Sequence, residues 1–197
     1  MQAVDPGFDA ATDLCGDDLG YVTVLRQPMP RVHSHMCEIG VGHRAWLHPK
    51  KGATGGVKRQ LRDNYYVRAL GGAEAWDAPE GALAQRHLLA AARALARFDV
   101  VMTVETLQRD ARAQMGRVGL PDFAPRHVYA RSRTDNLHRA SREPWLRAKG
   151  ATGTAACEVP PTAPELSRLV AASTWDAILY QFARTLAARR ATPVKKR

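Results

Sequence analysis

Tyr21-Val22-Thr23-Val24-Leu25-Arg26-Gln27-Pro28-Met29-Pro30-Arg31-Val32-His33-Ser34-His35-Met36 reads as a buried strand that ends on an arginine and turns directly into a helix. The β-branched and aromatic run Tyr21 to Leu25 suits a strand. Pro28 and Pro30 force a tight turn before helical conformation resumes. Arg26 then stands at the carboxyl end of the strand, with Ser34 eight positions on, about one turn into the helix. Both positions face the crevice in which open α/β sheets bind ligands. A guanidinium fork, a hydroxyl and the N–H groups at a helix start together suit an anion of phosphate type. The stretch therefore predicts an α/β fold with Arg26 and Ser34 as candidate phosphate ligands.

Outward from this stretch, Phe98 to Val104 is a nearly continuous apolar run, the mark of a strand covered on both faces in a parallel sheet. It is predicted to lie beside Tyr21–Leu25. Pro79 and Glu80 open a predicted helix that runs to about Arg97, with Leu88, Ala91, Ala92 and Leu95 as its apolar stripe. Glu105 stands where the second strand exits, ahead of a helix from about Thr106 to Gly116. A charge in the first turn that complements the helix dipole is the simpler reading of Glu105, and a carboxylate in the cleft is the other. The chain closes on a helix from Thr174 to Arg190, where Trp175, Ile178, Leu179, Phe182 and Leu186 recur at helical spacing as a core face. Between these, residues 119–164 are dense in Gly, Pro, Ser, Thr and Arg and read as a long loop. Lys50 to Gly56 reads as a flexible basic loop, because no apolar strand leads into it as a phosphate loop requires.

Composition bounds the class. The 197 residues are 45% hydrophobic and 24% charged, which suits one soluble domain, 1–197, with flexible ends at 1–20 and 191–197. No run approaches the roughly 18 to 20 apolar residues of a membrane span, so no membrane contact is expected of this segment. A net charge of +10 calls for an anionic partner or a heavily hydrated surface. Counterion release is indifferent to which polyanion is bound, so a basic nucleic-acid-binding module is one reading. Zinc-finger spacing, a homeodomain-like helix and an aromatic platform are all missing, and no nucleic acid is expected on that ground.

Cys15, Cys37 and Cys157 form no C-x-x-C pair, so neither a zinc site nor a redox dithiol is expected, and one disulfide of undetermined pairing remains open. Four of the seven histidines fall between His33 and His48. His33 and His35 diverge on a helix and no carboxylates join them, so no metal is assigned. His43 or His48 is a candidate for the border of an acceptor cleft, since neutral imidazole is the usual general base.

A series of segments, in order, carries a resemblance. Thr23-Val24-Leu25-Arg26-x-Pro28-x-x-Arg31-x-x-Ser34 resembles the 3′-phosphate-binding segment of the carbohydrate sulfotransferases, P-loop-like enzymes that use 3′-phosphoadenosine 5′-phosphosulfate. Asn64-Tyr65-Tyr66-Val67-Arg68-Ala69-Leu70-Gly71-Gly72 resembles the family's Asn-x-x-x-Arg-x-Leu-x-Gly segment. Phe98 to Glu105 is similar to its next strand, and Asn136 with Trp175-Asp176-x-x-Leu179-Tyr180 to its closing segments. The resemblance implies a helix-rich α/β fold, a partial P-loop-type sulfotransferase domain with a short parallel sheet. It implies sulfuryl transfer from 3′-phosphoadenosine 5′-phosphosulfate to a carbohydrate (glycan) hydroxyl, with Arg26 and Ser34 on the 3′-phosphate. It further implies a Golgi setting and late phosphate contacts from Asn136, Arg139, Ser141 and Arg142. The family's domain opens with a strand and a Pro-Lys-x-Gly-type loop around the 5′-phosphosulfate, and Met1 to Gly20 read as neither. A carboxyl-terminal part of the domain, impaired in transfer as it stands, is therefore expected, with no catalytic residue assigned. An inactive nucleotide- or glycan-binding remnant is the alternative.

Overall fold

Val22–Leu25 (β1) and Val100–Thr103 (β2) pair in parallel, with Val22 opposite Val100 and Leu25 opposite Thr103. The computed structural model describes residues 19–49, 57–123 and 159–191. Cys15, the 50–56 loop, Asn136, Arg139, Ser141, Arg142 and Cys157 lie outside the described residues, as do most of the two ends read as flexible. The expected neighbouring parallel strands are present, and helices make up most of what surrounds them: the fold is a helix-rich α/β arrangement with a two-stranded parallel sheet among the described residues.

The two strands are not equally covered. All four residues of β2 are buried, at 0–2% exposure. Their side chains alternate between two layers, as strand geometry demands. Val101 joins Leu25, Tyr66, Val67, Leu95, Leu179 and Ala183 on one face. Val100 and Met102 meet Ala111 and Met115 on the other. Each such buried side chain contributes about 1.5–3 kcal/mol through removal of apolar area from water. β1 departs from the expectation of burial. Leu25 is in the core, but Val22 and Val24 are exposed, because α7 (Leu107–Met115) covers only the β2 half of that face.

Helices α1 (Pro28–Ile39), α2 (His43–Leu47), α3 (Arg59–Arg62), α4 (Tyr65–Leu70), α5 (Gly72–Asp77) and α6 (Gln85–Arg97) connect the strands. After α7 and a short 3₁₀ turn, the described chain resumes before α8 (Ala163–Ala171) and ends in α9 (Thr174–Ala191). α8 begins inside the segment read as loop, on a capping box in which Glu165 accepts from the N–H and hydroxyl of Thr162, both at 2.8 Å. α4, α6 and α9 pack over one face of the sheet. α1, α2 and α8 enclose a second cluster around Trp46, Val32, Met36 and Leu169.

Two helix expectations need correction. α6 starts at Gln85 rather than at Pro79: the carbonyls of Ala78 and Pro79 accept from the Arg68 guanidinium, and the chain makes a turn there, with the Ala82 N–H on the Pro79 carbonyl at 3.1 Å and Gly81 at φ +76°. His87 starts it instead: its Nδ1 accepts the Ala84 N–H at 2.9 Å, which leaves Nε2–H to donate to Glu74 at 3.2 Å. In α9, Ile178 and Phe182 are exposed, Trp175 and Leu186 are half-buried, and the buried face is Asp176, Leu179, Tyr180, Ala183 and Ala187. Polar side chains with fixed partners and small alanines that admit β2 closely decide that face, and an apolar-periodicity reading gives them little weight.

Candidate functional site

The carboxyl edge of the sheet is where the sequence placed the site. Arg26 follows β1 directly and is half-buried. Its main chain is held by one hydroxyl: the Arg26 N–H donates to Tyr66 Oη at 2.9 Å, and the same hydroxyl donates to the Arg26 carbonyl at 2.9 Å. Burial pushes the Tyr66 phenol up to about 12, so it stays neutral and can do both. One residue on, the Gln27 N–H donates to Glu105 Oε1 at 2.9 Å, and the Tyr180 hydroxyl donates to Glu105 Oε2 at 2.7 Å.

Glu105 thus ties the exit of β2 to the start of α1 and to α9. Its partial burial disfavours the charged form. The Gln27 N–H, the Tyr180 hydroxyl and the Arg26 charge outweigh that burial and hold its pKa below the ordinary carboxylate value. Neither reading from sequence anticipated this. A carboxylate so held is a weak proton acceptor, and it already occupies part of the space an anion would take at the start of α1.

The helix start itself offers fewer donors than a typical one. Pro28 and Pro30 carry no N–H, and the Arg31 N–H donates to the Gln27 carbonyl at 3.0 Å. Among the first four residues of α1, that leaves the Met29 N–H. Ser34 is exposed, on the side of α1 away from the buried Pro28, Val32 and Met36. No hydrogen bond joins it to Arg26. Arg31 lies over the rings of Tyr65 and Tyr66, at 4.9 and 5.5 Å from their centroids, and donates to the Leu61 carbonyl at 3.3 Å.

The histidines divide. His43 is buried and stacks on His33, and exposed His48 lies 2.7 Å from Arg168 Nη1. Neither is beside Arg26. Cys37 is disulfide-bonded. No group of three or more metal-ligating side chains lies among the described residues.

The Asn64–Gly72 segment is a structural hub. Arg68, wholly buried, donates to the carbonyls of Asp63, Ala75, Ala78 and Pro79 at 2.7–2.9 Å and pairs with the Asp63 carboxylate. Asn64 Oδ1 accepts from the N–H groups of Trp175 and Asp176 at the start of α9, at 2.8 and 3.1 Å. Asp176 Oδ1 in turn accepts the Val67 N–H in the first turn of α4, at 3.0 Å. Two helix starts, 111 residues apart, cap each other. Gly71 is required by close approach, since a Cβ there would stand 2.5 Å from the Val67 carbonyl oxygen, and Gly72 by its φ of +81°.

Burial raises the Asp176 carboxyl from 3.8 to about 6, against the pull of the Val67 N–H and the Arg31 charge. Oδ2 is buried without a hydrogen-bond partner. Between pH 4 and 6 the folded chain therefore holds this proton more tightly than the unfolded chain. Stability falls as pH rises through that window, and the whole penalty is present above it. Asp176→Asn keeps an acceptor for Val67 and removes the charge. It should leave stability unchanged below pH 4 and raise it at pH 7 by about 2–3 kcal/mol, at about 1.4 kcal/mol per pKa unit. Urea unfolding at pH 4, 5, 6 and 7 checks this, and parallel pH curves for the two proteins would refute it.

Comparison with protein-family models, with curated proteins and with solved structures returns no match to this chain. Among the described residues no helix is long and apolar enough to cross a membrane.

Proposed function

We propose that this chain is a sulfotransferase-like protein of P-loop type, which binds 3′-phosphoadenosine 5′-phosphosulfate through Arg26 and Ser34 and takes a carbohydrate hydroxyl as acceptor. The observation that carries the reading is the junction of β1 with α1. An arginine whose main chain is fixed by Tyr66 and whose neighbour is fixed by Glu105 stands at the carboxyl end of a parallel strand, two residues before a helix. This is where an α/β sheet presents side chains to a nucleotide, and it coincides with the segment that carries the sequence resemblance.

In the transfer, an acceptor oxygen bonds to sulfur as the bond from sulfur to the 5′-phosphate oxygen breaks. The acceptor proton is lost, and 3′-phosphoadenosine 5′-phosphate departs. As in phosphoryl transfer, positioning and charge stabilisation carry most of such a step. Arg26 and Ser34 orient the nucleotide from its far end and do not touch the transferred group. A second reading, a nucleotide- or glycan-binding protein without transfer, is favoured by Glu105, whose charge beside Arg26 weakens any anion site there.

The transfer reading requires nucleotide binding, as does the nucleotide-binding form of the second. Calorimetry with 3′-phosphoadenosine 5′-phosphate should show a saturable site that is weakened by about 1.5–3 kcal/mol in Arg26→Ala, where a charge-assisted pair is lost, and by less in Ser34→Ala. Equal affinity in wild type and Arg26→Ala would remove the site assignment. With transfer, labelled sulfate should reach a glycan acceptor. Binding without transfer selects the second reading.

A further inference from the structure

A groove of about 430 Å³ opens between α7 and α9, with Thr103 and Thr106 of the β2 exit on its wall and Arg26 outside its lining. We propose that this groove is a binding site for a small molecule carrying two oxyanion groups, phosphate or sulfate esters, separate from the Arg26 site.

Charge points to this ligand. Three guanidiniums, those of Arg109, Arg184 and Arg189, line the groove against one carboxylate, Asp110. That carboxylate is already spent on Arg109, which donates to it twice, at 2.7 and 3.0 Å. Arg184 has a single long contact, 3.4 Å to Gln181 Oε1, and Arg189 has no carboxylate partner among the described residues. Two uncompensated cations therefore flank one concave surface. Like charges gathered without an internal counter-ion form a field complementary to an anion.

Geometry sets the spacing. Arg184 and Arg189 are five residues apart on α9, about 7.5 Å along the helix axis. At about 100° per residue they leave the helix about 140° apart, on either side of the groove-lining Gln181, Thr185 and Ala188. Thr103 and Thr106, whose hydroxyls are hydrogen-bonded at 3.1 Å, add polar atoms at the carboxyl end of β2, the end at which parallel sheets place ligands. A guanidinium at each end selects two separated oxyanions over one, and the fork of each suits a tetrahedral ester.

The proposal does not depend on the nucleotide reading, and its test separates the two. Fructose 1,6-bisphosphate and a disulfated disaccharide serve as probes in calorimetry at low salt, because a chain of net charge +10 attracts any anion weakly. One saturable site is expected for at least one probe; preference for the bisphosphate marks a phosphate-ester site and preference for the disaccharide a sulfate-ester site. The exposed pair Arg184→Gln with Arg189→Gln should weaken binding at least about tenfold, the scale of one charge-assisted contact. The charge-matched pair Lys58→Gln with Arg93→Gln, and Arg26→Ala, should leave it unchanged. Absence of a saturable site, an undiminished affinity in the groove variant, or an equal loss in the charge-matched variant would each overturn the proposal. Circular dichroism of each variant verifies that the fold is intact.

Discussion

Replacing Arg68 with leucine should leave the chain without a cooperative fold. The guanidinium is wholly buried and satisfies the carbonyls of Asp63, Ala75, Ala78 and Pro79 together with the Asp63 carboxylate. Without it, Asp63 keeps the N–H of Gly81 at 3.0 Å and the amide of Asn64 at 2.8 Å, and its charge has no counter-ion. Breaking a buried pair from one side costs about 3–5 kcal/mol. Each carbonyl that loses its donor adds about 1–3 kcal/mol, Pro79 excepted because it keeps the Ala82 N–H at 3.1 Å. The sum reaches the entire stability of a typical domain, about 5–15 kcal/mol.

Lysine should not rescue the fold, because one ammonium cannot span acceptors arranged around a planar fork. The double variant Asp63→Leu, Arg68→Leu should recover part of the loss, since it removes the stranded charge as well. Far-UV circular dichroism and urea unfolding provide the readout. A cooperative transition for Arg68→Leu near the wild-type midpoint would show that the hub does not organise the turn from Ala75 to Gly81.

The same hub shows what a sequence discloses and what it withholds. Both strands were legible, because β-branched runs bounded by proline and by a helix end leave few alternatives, and the two lie side by side in parallel. The exposure of Val22 and Val24 was not legible: an apolar strand reads as covered on both faces whether or not a helix reaches that far. The buried face of α9 was hidden for a different reason. Asp176 and Tyr180 face inward because Val67 and Glu105, distant in sequence, complete their hydrogen bonds, and nothing in the local pattern announces those partners.

Arg26 was found where it was expected, at the end of β1. Glu105 was seen as a residue at the exit of β2, but its bond to Gln27 could not be, because it depends on the register that brings Leu25 opposite Thr103. The arginines of the α7–α9 groove were visible only as general basicity. Their convergence follows from the packing of two helices that are far apart in the chain. The Asn64–Gly72 pattern, noticed for its resemblance, proves rich in structural constraints: two required glycines, a buried ion pair and a helix cap.

Asn64 tests that cap most sharply, because its side chain and its backbone are both special. It has φ of 49° and ψ of 57°, the left-handed region that residues other than glycine rarely enter. Its N–H donates to the Ala172 carbonyl at 2.7 Å, its Oδ1 accepts two N–H groups of α9, and its Nδ2 donates to Asp63 Oδ1. Asn64→Gly keeps the backbone comfortable and loses only the side-chain bonds, an expected cost of about 2–4 kcal/mol from two buried N–H groups without acceptors. Asn64→Ala loses the same bonds and adds the left-handed strain of a Cβ, about 1–2 kcal/mol more. Asn64→Asp keeps the acceptor for α9 but turns a carboxylate oxygen toward Asp63, where a donor had been. Two buried carboxylates in contact raise the pKa of the pair, so this variant should be weakest at neutral pH and regain stability as pH falls toward 4. Urea unfolding of the three variants at pH 5 and pH 7 should therefore rank Gly above Ala at both, with only the Asp variant improving markedly at pH 5 relative to wild type. Equal stability of the Gly and Ala variants would show that the left-handed backbone at residue 64 is not a constraint on the fold, and three variants as stable as wild type would refute the reciprocal cap between α4 and α9.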